Sequence, residues 1–376
     1  MSHPVVVVGA GLSGLYASWL LQQSGQRVLL LEARDRIGGR VLSQGEDGAA
    51  HRLDLGPAWF WPGMNPRVQK ILKALNLRSF PQHTRGATMV EGQDGKVYKH
   101  QSGWEQSPSS YRIAGGTGAL TQAIHAQLNS QVTFKASTRV LGMQLRPHAV
   151  ELALQDGTGP WSQGASQVIV TIPPRVMAQD LALEPAWPEK MMKDMRATPT
   201  WMAGQAKFVA AYASAFWREA GLSGDAMSHR GPMGEIHDAS DESGQSAALF
   251  GFVGASPSYR AGIGREALQS QSLAQLERLF GPQAATPLWS AVQDWALDPL
   301  TATSEDSRPL SYHPMYSVGE VPADWKSRVA LAGTERSPNY GGYLEGALEA
   351  AELAVQSVLG NLSAQAKRNP STTETE

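Results

Sequence analysis

Residues 5–40 read VVVVGAGLSGLYASWLLQQSGQRVLLLEARDRIGGR. Val5 to Val8 form an apolar run without alternation, the pattern of a strand covered on both faces. Gly9, Gly11 and Gly14 follow, and Leu12, Leu15, Trp19 and Leu20 then fall on one side of a helix with Ala17 and Ser18 as small neighbours. Gly25 ends that helix, and Val28 to Leu31 is a second apolar strand closed by Glu32. In such a βαβ unit the first glycine makes the tight turn. The second lets backbone approach a pyrophosphate, and the third lets helix and strand pack closely. The helix N-terminus, including the backbone at Ser13, offers unpaired N–H groups and partial positive charge. Glu32 stands where a carboxylate accepts hydrogen bonds from a ribose diol. Strand, glycines, helix, second strand and terminal acid in register point to an adenine dinucleotide rather than an ordinary glycine-rich turn.

The residues after Glu32 select which one. Ala33, Arg34, Gly38, Gly39 and Arg40 complete E-A-R-D-R-I-G-G-R. The glycine pair permits close backbone approach, and Arg40 can fork two hydrogen bonds onto phosphate oxygens. A solvated basic loop is the plain alternative for these arginines, and it fits Arg36 best. Here the sequence resembles the flavin-containing amine oxidase family of monoamine, polyamine and L-amino-acid oxidases. The resemblance implies FAD, with this segment running past its pyrophosphate.

Bulk composition bounds the rest. The 376 residues suggest two or three domain-sized units, and 42% hydrophobic with 18% charged residues fits a large core. A net charge of −2 gives no electrostatic case for nucleic acid. There is no cysteine, hence no disulfide, Cys metal site or Cys nucleophile, and no thioether of the kind that attaches flavin in some amine oxidases. The expected FAD is therefore non-covalent. No His or carboxylate spacing suggests a metal. Met1 to Pro4 is too short for a signal peptide, no run approaches transmembrane length, and the anchoring helix of mitochondrial relatives has no counterpart, so the expected location is cytoplasmic with no membrane partner.

Further motifs carry the resemblance along the chain. Asp54, Leu55 and Gly56 match the family's DLG segment, followed by Pro57 and Ala58 beside the flavin ring. Trp59, Phe60 and Trp61 read equally as a cavity wall or as core under a loop. Asn65-Pro66 starts a helix with Val68, Ile71, Leu72 and Leu75 as its apolar positions. Gly86 to Lys99 is a hairpin turning at Asp94-Gly95. Gly115, Gly116 and Leu120 match the segment that returns to the FAD domain. The interval before it is too short for the helical insert of larger relatives, which predicts a trimmed substrate domain. Val132–Ala136, Val140–Leu145, Ala149–Leu154 and Gln167–Thr171 read as strands, with a turn at Asp156-Gly157. The resemblance makes Val140 the residue whose backbone clasps the adenine. Pro173-Pro174 marks a crossover.

Lys207 opens an otherwise apolar strand running to Tyr212, and a lysine there is costly to bury without a partner. A snorkelling edge-strand lysine is the alternative. In the family, a K-x-x-x-x-Y strand followed by Phe-Trp-Arg, here Phe216-Trp217-Arg218, places the lysine at the flavin, holding a water near N5. His229 and His237 read as surface or loop residues, and Ala267 to Phe280 as an amphipathic helix. Asp294-Trp295 resembles the W…DP segment. After it the family has a cysteine or its replacement and then a cage aromatic. Residues 301–306 read TATSED, so the cage aromatic is missing there, and Tyr312, His313 or Tyr316 would have to compensate. Gly333, Thr334 and Glu335 resemble the AGTE segment beside the pyrophosphate. Gly342, Tyr343, Leu344 and Ala347 fit G-Y-x-E-G-A at the start of a helix whose dipole faces the flavin, with Tyr343 as a cage residue.

The expected fold is α/β: a discontinuous Rossmann-like FAD-binding domain (1–75, 110–175, 320–360), a mixed-sheet α+β substrate domain (76–110, 176–319) and a flexible tail (361–376), with the active site between the domains. The expected reaction is oxidation of an amine to an imine, with hydride transfer to flavin N5, O2 as acceptor and hydrogen peroxide as product. Lys207 and Tyr343 are the catalytic candidates. Trp59, Phe60, Trp61 and Tyr312 are the substrate-cavity candidates. Other flavin desaturases or amino-acid oxidases of this fold, and a flavin-holding accessory protein, are the alternatives. The oligomeric state is not readable.

Overall fold

A computed structural model describes residues 3–45, 52–101, 107–308, 310, 312–316 and 319–368. It packs as two compact units. The first comprises Met1–Gly39, Thr121–Thr200 and Pro314–Glu376, and the second Arg40–Leu120 and Trp201–His313. Packing thus groups 40–75 and 110–120 with the second unit and 176–200 with the first, unlike the sequence division. Two contacts explain this. Met177, Met191 and Met195 close a core beneath Val168 and Val170, whereas Asp54 is bonded to Thr117 and Gly56 to Lys207.

The first unit is built on a five-stranded parallel sheet in the order Val329–Leu331, Gln167–Val170, Val5–Val8, Val28–Leu31, Val132–Lys135. The four valines occupy its centre, so an uninterrupted apolar run is what that position requires. The helix Leu12–Gln23 is buried from Leu12 through Ser18 and again at Leu21 and Gln22, while Trp19 and Leu20 are only half-buried. The single stripe expected from the sequence is therefore wrong. This helix packs against both its sheet and the helix Leu344–Arg368, where Tyr16 donates to Glu352 at 3.1 Å. A second sheet runs Gly159–Ala165, Val150–Asp156, Arg139–Leu145, Ala182–Glu184. The strand Gly159–Ala165, whose glycines and proline resemble a loop, is an addition to the sequence reading. The final helix passes Asn361, where a polar tail was expected. Its polar residues are tied down, with Asn361 Nδ2 donating to the Lys326 carbonyl at 3.1 Å and Gln365 Nε2 to that of Ser327 at 3.1 Å. Positions 369–376 of the expected tail lie outside the described residues.

The second unit is organised by a seven-stranded mixed sheet. Its order is Trp289–Asp294, Ala206–Tyr212, Ala247–Val253, Met233–Asp238, Leu222–Ser228, Ala87–Glu91, Val97–His100. The last two strands are the expected hairpin. Alternation along Ala206–Tyr212 sends Ala206, Phe208, Ala210 and Tyr212 to one face, covered by Leu268, Leu276 and Leu279 of the helix Pro257–Phe280. That helix starts earlier than the sequence pattern indicates because its backbone breaks at Gly264 (φ 79°) and resumes. Lys207 and Val209 take the other face.

His237 is neither a surface nor a loop residue. It is buried on the strand Met233–Asp238, with Nδ1 2.8 Å from Asp225 Oδ1 and Nε2 2.8 Å from Glu235 Oε1. Burial disfavours its charged form, but the hydrogen bonds to Asp225 and Glu235 outweigh that, and the imidazole is held above its ordinary range. Glu235 is held below the usual carboxylate range by the same bond to His237. Two consequences for stability follow. A Cβ on Gly14 would sit 1.8 Å from the Gly9 carbonyl oxygen, so Gly14→Ala should lose about 2 kcal/mol or more in chemical denaturation. His237, with a raised folded-state pKa, stabilises fully below its unfolded value near about 6.5 and loses that contribution as pH rises through the folded value. His237→Gln should therefore cost about 2 kcal/mol at about pH 6 and distinctly less at about pH 9, read from paired urea titrations.

Candidate active site

In the first unit, close backbone contacts build a cradle at the sheet's carboxyl edge. Gly9 has φ 97°, and Gly14 lies on its carbonyl. Gly38 N–H donates to Ala10 O at 2.8 Å, and Gly11 and Gly38 form an isolated β-bridge. Gly39 sits so near Gly11 that a Cβ on it would be 3.3 Å from the Gly11 Cα. Arg36 is not a solvated side chain: its guanidinium donates to the carbonyls of Ile37 (3.2 Å) and Gly39 (3.0 Å), fixing the glycine pair. The helix Leu12–Gln23 has no side-chain cap and no acidic residue in its first turn, so its N–H groups are left to an anion.

Glu32 is buried. Its Oε2 accepts from Ala10 N–H at 2.7 Å and its Oε1 from Arg34 N–H at 2.9 Å, with half-buried Ala33 between. Each oxygen retains a further lone pair for a hydroxyl. Ser137 and Thr138 lie beside it: Thr138 N–H donates to Glu32 O and Ser137 N–H to Arg34 O, both at 2.8 Å. Val140 is paired with Leu154 in the antiparallel ladder and its side chain is buried in the core. The left-handed backbone of Ser137 (φ 49°) makes this return, and nothing in the local sequence announces it.

The C-terminal motifs reach the same cradle. Gly333 N–H donates to Ser13 Oγ at 3.1 Å, which joins the first helix to the Gly333-Thr334-Glu335 turn across most of the chain. Thr334 Oγ1 donates to the Tyr343 carbonyl at 2.8 Å, and Glu335 is buried. Gly342 has φ 84°, and the long helix starts at Leu344 with Leu344 and Ala347 buried. Tyr343 is 41% exposed. The ring of Tyr316 lies on Gly341, where a Cβ would meet its Cδ2 at 2.1 Å. These groups fit an FAD diphosphate and ribose: an uncapped helix start, a carboxylate with spare lone pairs, and backbone without Cβ atoms.

In the second unit, Asp54 organises the segment 54–58. Its Oδ1 accepts from Ser43 Oγ (2.5 Å), Thr117 N–H (2.7 Å) and Thr117 Oγ1 (2.8 Å). Thr117 Oγ1 also lies 2.8 Å from the Pro57 carbonyl, and Ala58 is buried nearby. Gly56 presses on the Arg40 carbonyl, where a Cβ would stand 2.0 Å from the oxygen. Trp295 Nε1 donates to Leu55 O at 3.0 Å, which gives the W…DP tryptophan its task.

Lys207 is 3% exposed. Its Nζ donates to the Gly56 carbonyl at 3.1 Å and stands 4.0 Å from the Phe250 ring centroid and 5.7 Å from that of Phe252. It is not a snorkelling edge residue, because strands lie on both sides of it. Burial pulls its pKa down to about 7; Asp54 opposes that and Arg112 adds to it.

The aromatic triplet divides. Trp59 is half-buried against His237 (4.9 Å), Phe250 (5.3 Å) and Phe252 (6.0 Å), with Nε1 donating to Gln82 Oε1 at 2.8 Å. It shares the lysine's aromatic surround. Phe60 is enclosed in the core and bridged to Tyr111, so it lines no open wall. Half-buried Trp61 receives its order from Asn65, whose Oδ1 accepts its backbone N–H at 2.8 Å. Tyr312 is 78% exposed and does not join the Trp59 group. Trp217 and Arg218 are structural, both donating to Asp238. The sequence reading passed over Asp225, Glu235, Asp238 and Arg112. Charged residues in short strands were the signal, but their partners are set by non-local pairing.

Comparison with known proteins agrees with this geometry. The family model "Flavin containing amine oxidoreductase" matches residues 94–359, and "NAD(P)-binding Rossmann-like domain" matches 7–75. The chain is similar to a probable flavin-containing monoamine oxidase A of Dictyostelium discoideum, at 24% identity over 92% of this chain and 95% of the relative. It is also similar to amine oxidase [flavin-containing] A of Sus scrofa, at 23% over 97% and 86%. Among solved structures it resembles cyclohexylamine oxidase from Brevibacterium oxydans IH-35A (TM-score 0.78, 21% identity, 96% and 100% covered). Putrescine oxidase bound to putrescine is another (0.76, 18%, 96% and 99%). No helix among the described residues is long and apolar enough to cross a membrane. With the family model spanning well over half of its length, the chain belongs to the flavin-containing amine oxidoreductases and is a flavin-dependent enzyme acting on amines.

Proposed function

We propose that this protein is an oxidase that holds FAD non-covalently and converts a small-molecule amine to an imine, which water hydrolyses to a carbonyl compound. The single observation that carries the reading is Lys207: a lysine enclosed by aromatic rings, bonded to the carbonyl of Gly56 within the family's DLG segment. The bound flavin would supply a hydride acceptor at N5 and pass the electrons to O2, giving hydrogen peroxide. The chain's own part is binding and orientation. Gly9, Gly11, Gly14, Glu32, Arg34, Gly38, Gly39, Arg40 and Gly333 to Glu335 would hold the cofactor. Gly342 to Ala347 would present a helix start to the ring. Lys207 would keep a water ordered through its remaining N–H or lone-pair positions. Tyr343, part-exposed, would orient the neutral amine, with Tyr316 on Gly341 as the candidate second aromatic. The absence of cysteine supports a non-covalent attachment, and a cytoplasmic location belongs to the same proposal.

Anaerobic mixing of the yellow protein with a panel of primary and secondary amines should bleach the flavin absorbance, and readmitted oxygen should restore it with peroxide release. Absence of bleaching with every amine would sink the reading and favour a flavin-holding accessory protein. Gly11 offers a second measurement. A Cβ there meets only the Gly38 carbonyl, at 3.8 Å, so Gly11→Ala should fold normally. It would intrude where the diphosphate approaches, so flavin retention through gel filtration should drop by about tenfold or more relative to wild type, a loss of about 1.4 kcal/mol in binding.

A further inference from the structure

The first unit contains a chain of hydrogen bonds that ends at Tyr343. It begins at Glu349, a buried residue in the second turn of the helix Leu344–Arg368. Glu349 Oε1 accepts from Asn339 Nδ2 at 2.8 Å, and Oε2 accepts from Ser337 Oγ and from Asn339 N–H, the latter at 3.3 Å. Ser337 is also buried, and its Oγ in turn accepts from Tyr340 N–H at 2.8 Å. The Tyr340 carbonyl then accepts from Tyr343 N–H at 3.1 Å. It also lies on Gly346, where a Cβ would stand 2.1 Å from its oxygen. On the far side, the Tyr343 carbonyl accepts from Thr334 Oγ1 at 2.8 Å and from Ala347 N–H at 3.2 Å.

Tyr343 differs from the groups that hold it. It is 41% exposed, whereas Thr334, Ser337, Leu344, Ala347 and Glu349 are buried. A side chain enclosed in a core takes its direction from the atoms packed around it. A part-exposed ring takes it largely from its own backbone, and here the backbone N–H and C=O are both engaged. Gly342, with φ 84°, precedes the tyrosine and is the point about which that backbone would swing if released. Glu349 is the buried end of the chain. Hydrogen bonds to a carboxylate are stronger than those between neutral groups, and these draw residues 337–340 onto the helix. An apolar residue at 349 would take the acceptor from the buried Ser337 hydroxyl, which carries the Tyr340 amide. We propose that Glu349 is a positioning residue that aims the Tyr343 ring, acting through Ser337 and Tyr340. Resting on the amine-oxidising reading for what that ring does, this makes a buried carboxylate of the final helix a determinant of how the amine is oriented.

The test reads Tyr343 itself. The flavin-loaded protein is prepared with 3-fluorotyrosine, and the Tyr343 19F resonance is identified by its loss in Tyr343→Phe. Expected in Glu349→Leu is a Tyr343 signal that shifts or splits. Glu349→Gln can still accept from Asn339 and meet the Ser337 hydroxyl, so it should keep the signal near its wild-type position. With an amine that bleaches the flavin, the limiting rate of anaerobic reduction in Glu349→Leu should fall by about tenfold or more. In a Tyr343→Ala background the same substitution should cost little further, because the group it acts through is gone. A Tyr343 signal unmoved in folded Glu349→Leu overturns the proposal, and so does an equal rate loss with and without the Tyr343 ring. If Glu349→Leu does not fold, Ser337→Ala cuts the chain at its next link, and an unmoved Tyr343 signal there overturns it. The 19F measurement does not depend on turnover, so failure of every amine to bleach the flavin would refute the proposed function without deciding this result.

Discussion

Backbone packed directly on backbone is the constraint on which both units rest. Gly14 on the carbonyl of Gly9, and Gly56 on the carbonyl of Arg40, leave no room for a Cβ. The first contact seats the helix Leu12–Gln23 against the central strand and leaves its N–H groups free of any side-chain cap. The second fixes the run 54–58, so that the Gly56 carbonyl meets Lys207. A side chain at either glycine would push apart segments whose hydrogen bonds lie near 3 Å, and neither the anion-binding helix start nor the lysine's acceptor would keep its place.

The second unit solves a different problem, that of charge inside a sheet. One face of its seven-stranded sheet is an apolar layer under a helix. The other carries Lys207, Glu235 and His237 among Trp59, Phe250 and Phe252. His237 there has two carboxylates, and on the opposite face Asp238 takes Trp217 and both ends of the Arg218 fork. Among the described residues Lys207 meets a carbonyl and ring faces, and burial pulls its pKa down to about 7. The charges of this sheet thus differ in how completely they are paired.

What the sequence discloses follows from the range of the interactions. The βαβ unit, the Asp94-Gly95 hairpin and the helix beginning at Leu344 are local patterns, and the structure contains each of them. Lys207 was legible because a lysine in an apolar strand stands out against its neighbours. His237 was not, because its carboxylates arrive from a neighbouring strand and from two positions away on its own. The turn that brings Ser137 and Thr138 beside Glu32 was not legible, since a left-handed residue that is not glycine leaves no mark in composition. Phe60 and Tyr312 carry the side chains expected of a cavity wall, yet burial separates them: one is enclosed and the other open. Polar composition misled at the last helix, where Asn361 and Gln365 act as ties to carbonyls.

These differences bear on how an amine-oxidising site divides along a chain. Groups that hold a dinucleotide are largely backbone N–H groups and one carboxylate, placed by turns a few residues long. Groups that set the protonation of a buried lysine act through space at low dielectric, and their identity is fixed by strand order. Gly56 and Lys207 are 151 positions apart in sequence, yet the glycine's carbonyl accepts from the lysine's Nζ. Cofactor choice is therefore written locally in this chain, whereas the basicity of Lys207 is a property of the folded second unit.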